Sequence, residues 1–291
     1  MRAVCRTCMH SCNLEPGQRG ICGVRKNENG RIVSENYGRV TALALDPIEK
    51  KPLKMFYPGS MILSVGSYGC NLKCPFCQNH QISMMRLEGA EQESYTGDSL
   101  RHRISDIVNI SPQELAQKAL EYQKSGNIGV AYTYNEPLVG WEYVRDTAQL
   151  VKSYGMKNVL VTNGTASMEV LEQILPFIDA MNIDLKGFQE EYYRKLGGSL
   201  KAVQEFIMRA AQQCHVELTT LIVPGENDTV SELKAEAEWI AEQVGQHIPL
   251  HITRFFPRYQ MQNKDATDVQ LVYRLANLAG KYLEHVFVGN C

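Results

Sequence analysis

The chain has 291 residues and a formal net charge of −2, from 30 Lys and Arg against 32 Asp and Glu. This near-neutral balance gives no long-range attraction to nucleic acid or to a membrane surface, and 44% hydrophobic residues suffice for a large buried core. No apolar run approaches the roughly 18 residues of a membrane-spanning helix, and the N-terminus has no signal-peptide core. Nine cysteines without an export signal indicate a reducing compartment, so we expect a cytoplasmic protein whose clustered cysteines bind metal.

Four of the cysteines lie close together near the N-terminus in the pattern C-x2-C-x3-C-x9-C: Cys5, Cys8, Cys12 and Cys22. The first 45 residues lack helical periodicity, and the turn signal at residues 27–30 predicts a small hairpin. Because so short a segment cannot build an adequate core alone, we predict a Cys-rich metal-binding module over residues 1–45. Four thiolates suit either zinc or a second iron–sulfur cluster. We favour a structural metal, with an electron-relay cluster as the alternative.

From residue 61 onward, apolar strands alternate with helices. Six strands are predicted at residues 61–65, 128–132, 158–161, 180–185, 216–223 and 249–253, followed by a short one at 285–288. The helices between them begin with capping signals, such as Ser111 with Glu114 and Thr229 with Glu232. Continuous apolar strands that alternate with helices indicate a parallel sheet covered by helices. We therefore predict an α/β fold, a partial (β/α)6 TIM-like barrel, over residues 46–291.

The stretch 84–111 interrupts this alternation. It holds eight charged residues and no Phe or Trp. We predict a long surface loop, inserted between the first barrel strand and its helix.

Three further cysteines, Cys70, Cys74 and Cys77, follow the first barrel strand in the pattern C-x3-C-x2-C. A [4Fe–4S] cube needs four thiolates to close it, so three leave one iron without a protein ligand. An open metal position is typical of a site where a substrate or cofactor binds. The alternative is a zinc site completed by a nearby residue such as His80.

Polar side chains follow four of the other predicted strands, where the active site of a parallel barrel lies. In chain order they are Asn135 and Glu136, then Thr162 and Asn163, then Asp184 and Lys186, and finally His251 and Arg254. Each alone is explained by a loop cap or a solvated charge. Their recurrence after four strands, behind the three-cysteine loop, predicts that they form a cofactor-binding site at this end of the barrel.

The three-cysteine pattern, with the aromatic Phe76 just before its last cysteine, resembles the signature of the radical S-adenosylmethionine (radical SAM) superfamily. The resemblance implies that the open iron binds S-adenosylmethionine and that an external donor, such as a flavodoxin or a ferredoxin-like protein, supplies one electron. It implies reductive cleavage to a 5′-deoxyadenosyl radical that abstracts hydrogen from a substrate. By the same resemblance, Phe76 flanks the adenine, and the amino acid end is held by four residues: Glu136, Thr162, Asn163 and Lys186. Asn135 stands where the family usually has Gly.

Two groups within the superfamily have similar motifs. Residues 183–187 and 223–228 resemble the activating enzymes of glycyl-radical enzymes, although Thr219 stands where the pyruvate formate-lyase activator has Arg. Residues 132–137 and 251–259, with the four N-terminal cysteines, are more similar to the radical SAM component of the AmmeMemoRadiSam system. That resemblance implies Memo-like and AMMECR1-like partner proteins. A non-catalytic zinc protein, in which both cysteine groups are structural, is the second alternative.

Overall fold

A computed structural model of the protein describes residues 1–86 and 107–291. The N-terminal 40 residues form short strands: β1 (Ala3–Val4), β2 (Asn13–Leu14), β3 (Arg25–Glu28), β4 (Arg31–Ser34) and β5 (Arg39–Val40). β1 pairs with β2 and β3 pairs with β4, both antiparallel. Asn29 and Gly30 between β3 and β4 have φ values of 56° and 96°, the positive values that a two-residue hairpin turn requires. The hairpin predicted at residues 27–30 is therefore confirmed.

Within the described residues, the main sheet has eight strands in the order β14-β13-β12-β11-β10-β9-β7-β6. Along the chain the strands are β6 (Ala42–Pro47), β7 (Met61–Gly66), the separate β8 (Val108–Asn109), β9 (Asn127–Tyr132), β10 (Lys157–Thr162), β11 (Ala180–Asp184), β12 (His215–Ile222), β13 (Leu250–Arg254) and β14 (Val286–Gly289). Neighbours from β7 to β14 are parallel, and β6 is antiparallel to β7. All seven predicted strands are present, so the parallel α/β fold is confirmed. β6, which we did not predict, runs across the predicted boundary at residue 45.

Helices cover the sheet: α1 (His80–Ser83), α2 (Pro112–Glu121), α3 (Trp141–Ser153), α4 (Met168–Ile174), α5 (Glu190–Lys195), α6 (Leu200–Ala211), α7 (Val230–Trp239) and α8 (Val269–Ala279). Ser111 forms the predicted capping box with Glu114 at the start of α2. Thr229 caps α7, but the Glu232 carboxylate accepts a hydrogen bond from Phe188 N instead of closing the second box. The apolar faces of these helices pack on the sheet in one continuous core.

A segment after β6 closes the barrel near the amino-terminal ends of its strands. The Asn182 amide donates to the Pro52 carbonyl at 2.9 Å, and the backbone N–H groups of Lys54 and Met55 donate to the Glu217 carboxylate at 2.9 and 2.8 Å. The interior is therefore blocked at this end and open toward the carboxyl ends of the strands.

The predicted insertion at 84–111 lies mostly outside the described residues. At its end, β8 pairs antiparallel with β5. No helix in 1–86 or 107–291 combines the length and the apolar composition that crossing a membrane requires.

Candidate active site

The carboxyl ends of the parallel strands open into a cavity of about 620 Å³. Every predicted site residue of the barrel except Arg254 lines it: Cys70, Cys74, Phe76, Cys77, Asn135, Glu136, Thr162, Asn163, Asp184, Lys186 and His251. Arg254 instead donates from Nε to the Thr267 carbonyl at 2.7 Å, and its guanidinium lies over the Phe256 ring. Because side chains alternate along a strand, His251 and Thr253 take the inward positions on β13 and Arg254 does not. The cofactor contact predicted for Arg254 therefore has no support.

The three cysteines lie on the loop between β7 and α1. Lys73 N donates to the Leu196 carbonyl at 2.8 Å, which ties the loop to the end of α5. Burial raises the pKa of the Cys74 thiol to about 12, and although the Lys186 charge opposes this, the charge of Cys77 adds to it. Buried thiols of this kind become thiolates when metal cations supply the positive charge. Three thiols around one cavity therefore fit an iron–sulfur cube with one open iron.

The alternative, a zinc ion bound by the three cysteines and His80, fits the structure less well than a cluster. In residues 1–86 and 107–291, no three His, Cys, Asp or Glu side chains are close enough together to bind one ion. His80, the alternative zinc ligand, stacks on Tyr259 with ring centroids 4.5 Å apart, and its Nδ1 lies 3.2 Å from the Cys77 carbonyl.

Glu136 presents a fixed carboxylate at the end of β9. It is buried and accepts hydrogen bonds from Thr162 Oγ1 at 2.8 Å, Asn163 N at 2.7 Å and Leu138 N at 3.0 Å. Burial outweighs these hydrogen bonds and raises the pKa of Glu136 to about 7. A carboxylate that is hydrogen-bonded in place and partly desolvated is suited to bind a cationic group.

Lys186 supplies the opposite charge at the end of β11. Its Nζ lies 2.6 Å from Asp184 Oδ2, and its backbone N–H is held by the Tyr193 hydroxyl at 2.9 Å. Burial lowers the pKa of Lys186, but the negative charges of Asp184 and Cys74 outweigh it, so the pKa is raised and the ammonium stays charged. The cavity thus holds a fixed cation beside the cysteine loop.

Asn135 and Tyr134 line the cavity, and the Asn135 side chain also holds the loop before the first of the three cysteines. Asn135 accepts from Ser67 N at 3.0 Å and donates to the carbonyls of Tyr68 and Gly69 at 3.2 and 3.0 Å. These bonds fix the backbone that leads into Cys70, so Asn135 acts here as a positioning residue. Tyr134 has a φ of 72°, an uncommon value for a residue other than glycine, and such strain is found most often at functional sites.

Glu217, which was not among the predicted site residues, organises the base of the cavity. His251 Nε2 lies 2.6 Å from Glu217 Oε2, and His215 Nε2 lies 2.9 Å from Glu217 Oε1. Burial raises the pKa of Glu217, but its four hydrogen bonds outweigh this and lower the pKa to about 2. The sequence does carry a pattern that indicates this site, because the polar residues His215, Glu217 and Thr219 alternate on one face of an otherwise apolar strand.

The four N-terminal cysteines lie among the short strands of the first 40 residues. Cys5 N donates to the Cys12 carbonyl at 2.9 Å. Burial raises the pKa of the Cys8 thiol to about 11. Cys12 Sγ lies 3.5 Å from the position that a Cβ would take at Gly20, two residues before Cys22.

Comparison with known proteins identifies relatives over most of the chain. The model of the radical SAM superfamily matches residues 64–240. An uncharacterized protein of Methanocaldococcus jannaschii is 36% identical over 288 residues, which is 98% of this chain and 80% of that protein. The (2S)-3-sulfopropanediol dehydratase activating enzyme of Klebsiella oxytoca is 23% identical over 169 residues, which cover 57% of this chain and 52% of that enzyme.

Two solved structures share the fold. Streptococcus suis SuiB bound to S-adenosylmethionine superposes with a TM-score of 0.57 at 13% identity, over 79% of this chain and 52% of that one. Escherichia coli QueE superposes with a TM-score of 0.51 at 14% identity, over 86% of this chain and 92% of that one. Identities this low show a shared fold and nothing more.

Proposed function

The chain belongs to the radical SAM superfamily, and on that premise we propose that it reductively cleaves S-adenosylmethionine in the cavity at the end of the barrel. The family implies a [4Fe–4S] cluster and S-adenosylmethionine as cofactors. When bound, the cluster supplies the electron that yields methionine and a 5′-deoxyadenosyl radical, which abstracts hydrogen from a substrate. The electron comes from an external donor of the flavodoxin or ferredoxin class.

The observation that carries this proposal is the arrangement of two opposite charges around the three thiols. The amino acid end of S-adenosylmethionine has an ammonium and a carboxylate, and the cavity offers the Glu136 carboxylate and the Lys186 ammonium on different strands. Glu136 is already held by three donors, so it binds an ammonium without reorganising. Lys186 pairs with the carboxylate while Asp184 keeps it oriented.

The remaining wall residues complete the pocket. Cys70, Cys74 and Cys77 are the cluster ligands. Phe76, which belongs to the same buried apolar cluster as Leu72 and Tyr192, gives a fixed apolar surface for the adenine. Thr162 and Asn163 orient Glu136. His251, whose Nε2 lies 2.6 Å from Glu217 Oε2, lines the same cavity.

For the type of enzyme, we propose a radical SAM component of the AmmeMemoRadiSam kind, with Memo-like and AMMECR1-like partners and a second metal at the four N-terminal cysteines. The four-cysteine set and the motifs at 132–137 and 251–259 support it. The alternative is an activating enzyme of a glycyl-radical enzyme, which the similarity to the Klebsiella oxytoca activating enzyme supports.

The test is metal and spectroscopic analysis of the full chain purified without oxygen. We expect iron and sulfide, an EPR signal of the reduced protein that changes when S-adenosylmethionine is added, and formation of 5′-deoxyadenosine. Cys214→Ala, which removes a half-buried thiol outside both cysteine sets, is the matched control for Cys74→Ala. Zinc without iron or sulfide would instead establish the non-catalytic zinc protein.

A further inference from the structure

One wall of the catalytic cavity takes no part in the S-adenosylmethionine contacts proposed above. Those contacts lie at the ends of β7, β9, β10 and β11, whereas residues of β12, β13 and β14 line the cavity as well. Asp184 pairs with Thr219, and Thr219 pairs with His251, in the register of three adjacent strands. Asp184 and His251 are therefore two strand spacings apart, which is about 10 Å. The polar groups on β12 and β13 are left for a second ligand, the substrate.

His251 carries the polar atom of this wall that has no protein partner. Thr219 exchanges hydrogen bonds with the Asn182 side chain at 2.9 and 3.1 Å, and Thr253 Oγ1 donates to a carbonyl of β12 at 3.4 Å. His251 Nε2 is engaged too, at 2.6 Å from Glu217 Oε2. Among the residues that the structure describes, none hydrogen-bonds His251 Nδ1. Buried rings normally satisfy both nitrogens, so Nδ1 is open to a ligand in the cavity.

Glu217 determines which nitrogen of His251 carries the proton. The backbone N–H groups of Lys54 and Met55 donate to the two Glu217 oxygens, so both oxygens act as acceptors. Burial raises the pKa of Glu217, but its hydrogen bonds outweigh this and lower the pKa to about 2, so the carboxylate is ionised. His251 Nε2 therefore donates to it, and the lone pair of the neutral ring lies on Nδ1. The Phe287 ring, with its centroid 5.3 Å from that of His251, packs beside the imidazole.

We propose that His251 accepts a proton from the substrate, with Glu217 as its positioning residue, and that the substrate presents a hydroxyl or amino hydrogen at this point. The O–H or N–H bond of the substrate breaks, an Nδ1–H bond forms, and the electron pair stays on the substrate oxygen or nitrogen. The resulting imidazolium lies against the Glu217 carboxylate, which stabilises it. The proton returns to the product, so the step needs no oxidant or reductant. The proposal rests on the proposed function, because it assigns S-adenosylmethionine to the other walls.

Chemical labelling tests whether Nδ1 is open. Diethyl pyrocarbonate reacts with an imidazole nitrogen that is accessible and unprotonated. Full-length protein with its cluster is labelled without oxygen and without S-adenosylmethionine, and the labelled histidines are located by peptide mass spectrometry. We expect His251 to be labelled. His215, which is partly exposed and held by the same carboxylate, is the control for the reagent. Labelling of His215 without any labelling of His251 would overturn the proposal.

The position of the ring proton tests the substrate class. Heteronuclear NMR of isotope-labelled histidine rings, with His251→Gln to assign the resonance, distinguishes the two nitrogens. We expect the ring to carry its proton on Nε2 and a lone pair on Nδ1. A proton on Nδ1 in the resting protein would overturn the proposal, because His251 would then donate to the substrate instead of accepting from it.

A binding measurement separates the substrate from the cofactor. The affinity of His251→Gln for S-adenosylmethionine should stay within about twofold of that of the unmodified chain, because the two ligands use different strands. Lys186→Met is the matched control and should lose about 30-fold or more. A loss of that size in His251→Gln would assign His251 to the cofactor and overturn the proposal. Absence of binding by the unmodified chain contradicts the proposed function, whereas labelling and NMR test His251 without S-adenosylmethionine.

Discussion

The two cysteine sets of this protein have similar spacing and different neighbours. Cys70, Cys74 and Cys77 follow a six-residue barrel strand, in a cavity that also contains the charged groups of Glu136 and Lys186. The N-terminal set lies among strands of two to four residues. Its segment contacts the cysteine loop of the barrel where the Cys22 carbonyl approaches Gly69 and where His10 Nε2 lies 2.8 Å from the Asn71 carbonyl. Cysteine spacing therefore predicts a metal in both places. The charged strand ends beside one set are the reason why we propose that this set also binds a small ligand.

The two regions also differ in what holds them together. The barrel has a continuous core of buried apolar residues from seven parallel strands and the helices that cover them. Residues 1–40 bury few large apolar side chains, among them Leu14, Val24 and Val40. A metal bound by the four N-terminal cysteines, as we propose, would therefore contribute a larger share of the folding free energy in that region than a metal in the barrel.

The largest expected effect comes from removing a ligand of the catalytic set. Cys74→Ala leaves only two thiolates for a cube that already has one open iron, so the cluster and S-adenosylmethionine cleavage should both be lost. The measurements are iron content and 5′-deoxyadenosine formation after anaerobic reduction. Cys214→Ala, the thiol control on the outside of the barrel, should retain both. A Cys74→Ala protein that still cleaves S-adenosylmethionine would show that the two sets have been assigned in the wrong order.

Much of this contrast could be predicted from the sequence. Parallel strands that are buried on both faces have continuous apolar sequences, so all seven parallel strands could be predicted. The polar residues that end four of them are visible for the same reason, because they interrupt an apolar pattern. Glu136 and Lys186 line the cavity because topology brings the carboxyl ends of parallel strands to one edge.

The sequence could not predict the orientation of individual side chains or their hydrogen-bond partners. Arg254 follows its strand by the same pattern as Lys186 but turns outward to Thr267. Asn135 lines the cavity, yet its side-chain amide forms hydrogen bonds with the backbone of residues 67–69. These outcomes depend on strand register and on loops that are distant in sequence, and neither leaves a local pattern.

Lys186→Met should have the next largest effect and separates charge recognition from metal binding. Losing one partner of a buried charged hydrogen bond costs ~2–5 kcal/mol, which is about 30-fold or more in affinity. S-adenosylmethionine binding should weaken by that factor while iron content stays normal. Lys234→Met removes an exposed lysine that pairs with Glu238 at 3.5 Å and should change affinity little. Equal affinity of Lys186→Met and the unmodified chain would rule out the proposed carboxylate contact.

The raised pKa of Glu136 predicts that the affinity for S-adenosylmethionine depends on pH. Metal binding by the N-terminal cysteine set should not show the same dependence. Its pKa is raised to about 7 by burial, so the carboxylate is largely protonated below that pH and cannot pair with an ammonium. From about pH 6 to pH 8 the ionised fraction rises about tenfold, and the affinity for S-adenosylmethionine should rise with it. Titration calorimetry across this range measures the slope. Glu136→Gln should bind weakly at every pH, and a slope that persists in this variant would assign the titration to another group.

The smallest expected effect on ligand binding is that of Cys5→Ala, which breaks the N-terminal set and leaves the charged strand ends in place. Metal should be lost from that set, and the free energy of unfolding should fall, with each kcal/mol lowering Tm by about 2–4 °C in a domain of this size. The affinity for S-adenosylmethionine should nevertheless change less than about twofold, because Glu136 and Lys186 are held by β9, β10 and β11 rather than by the N-terminal strands. A matching loss of affinity would mean that the contacts at Gly69 and Asn71 hold the catalytic loop in its binding conformation.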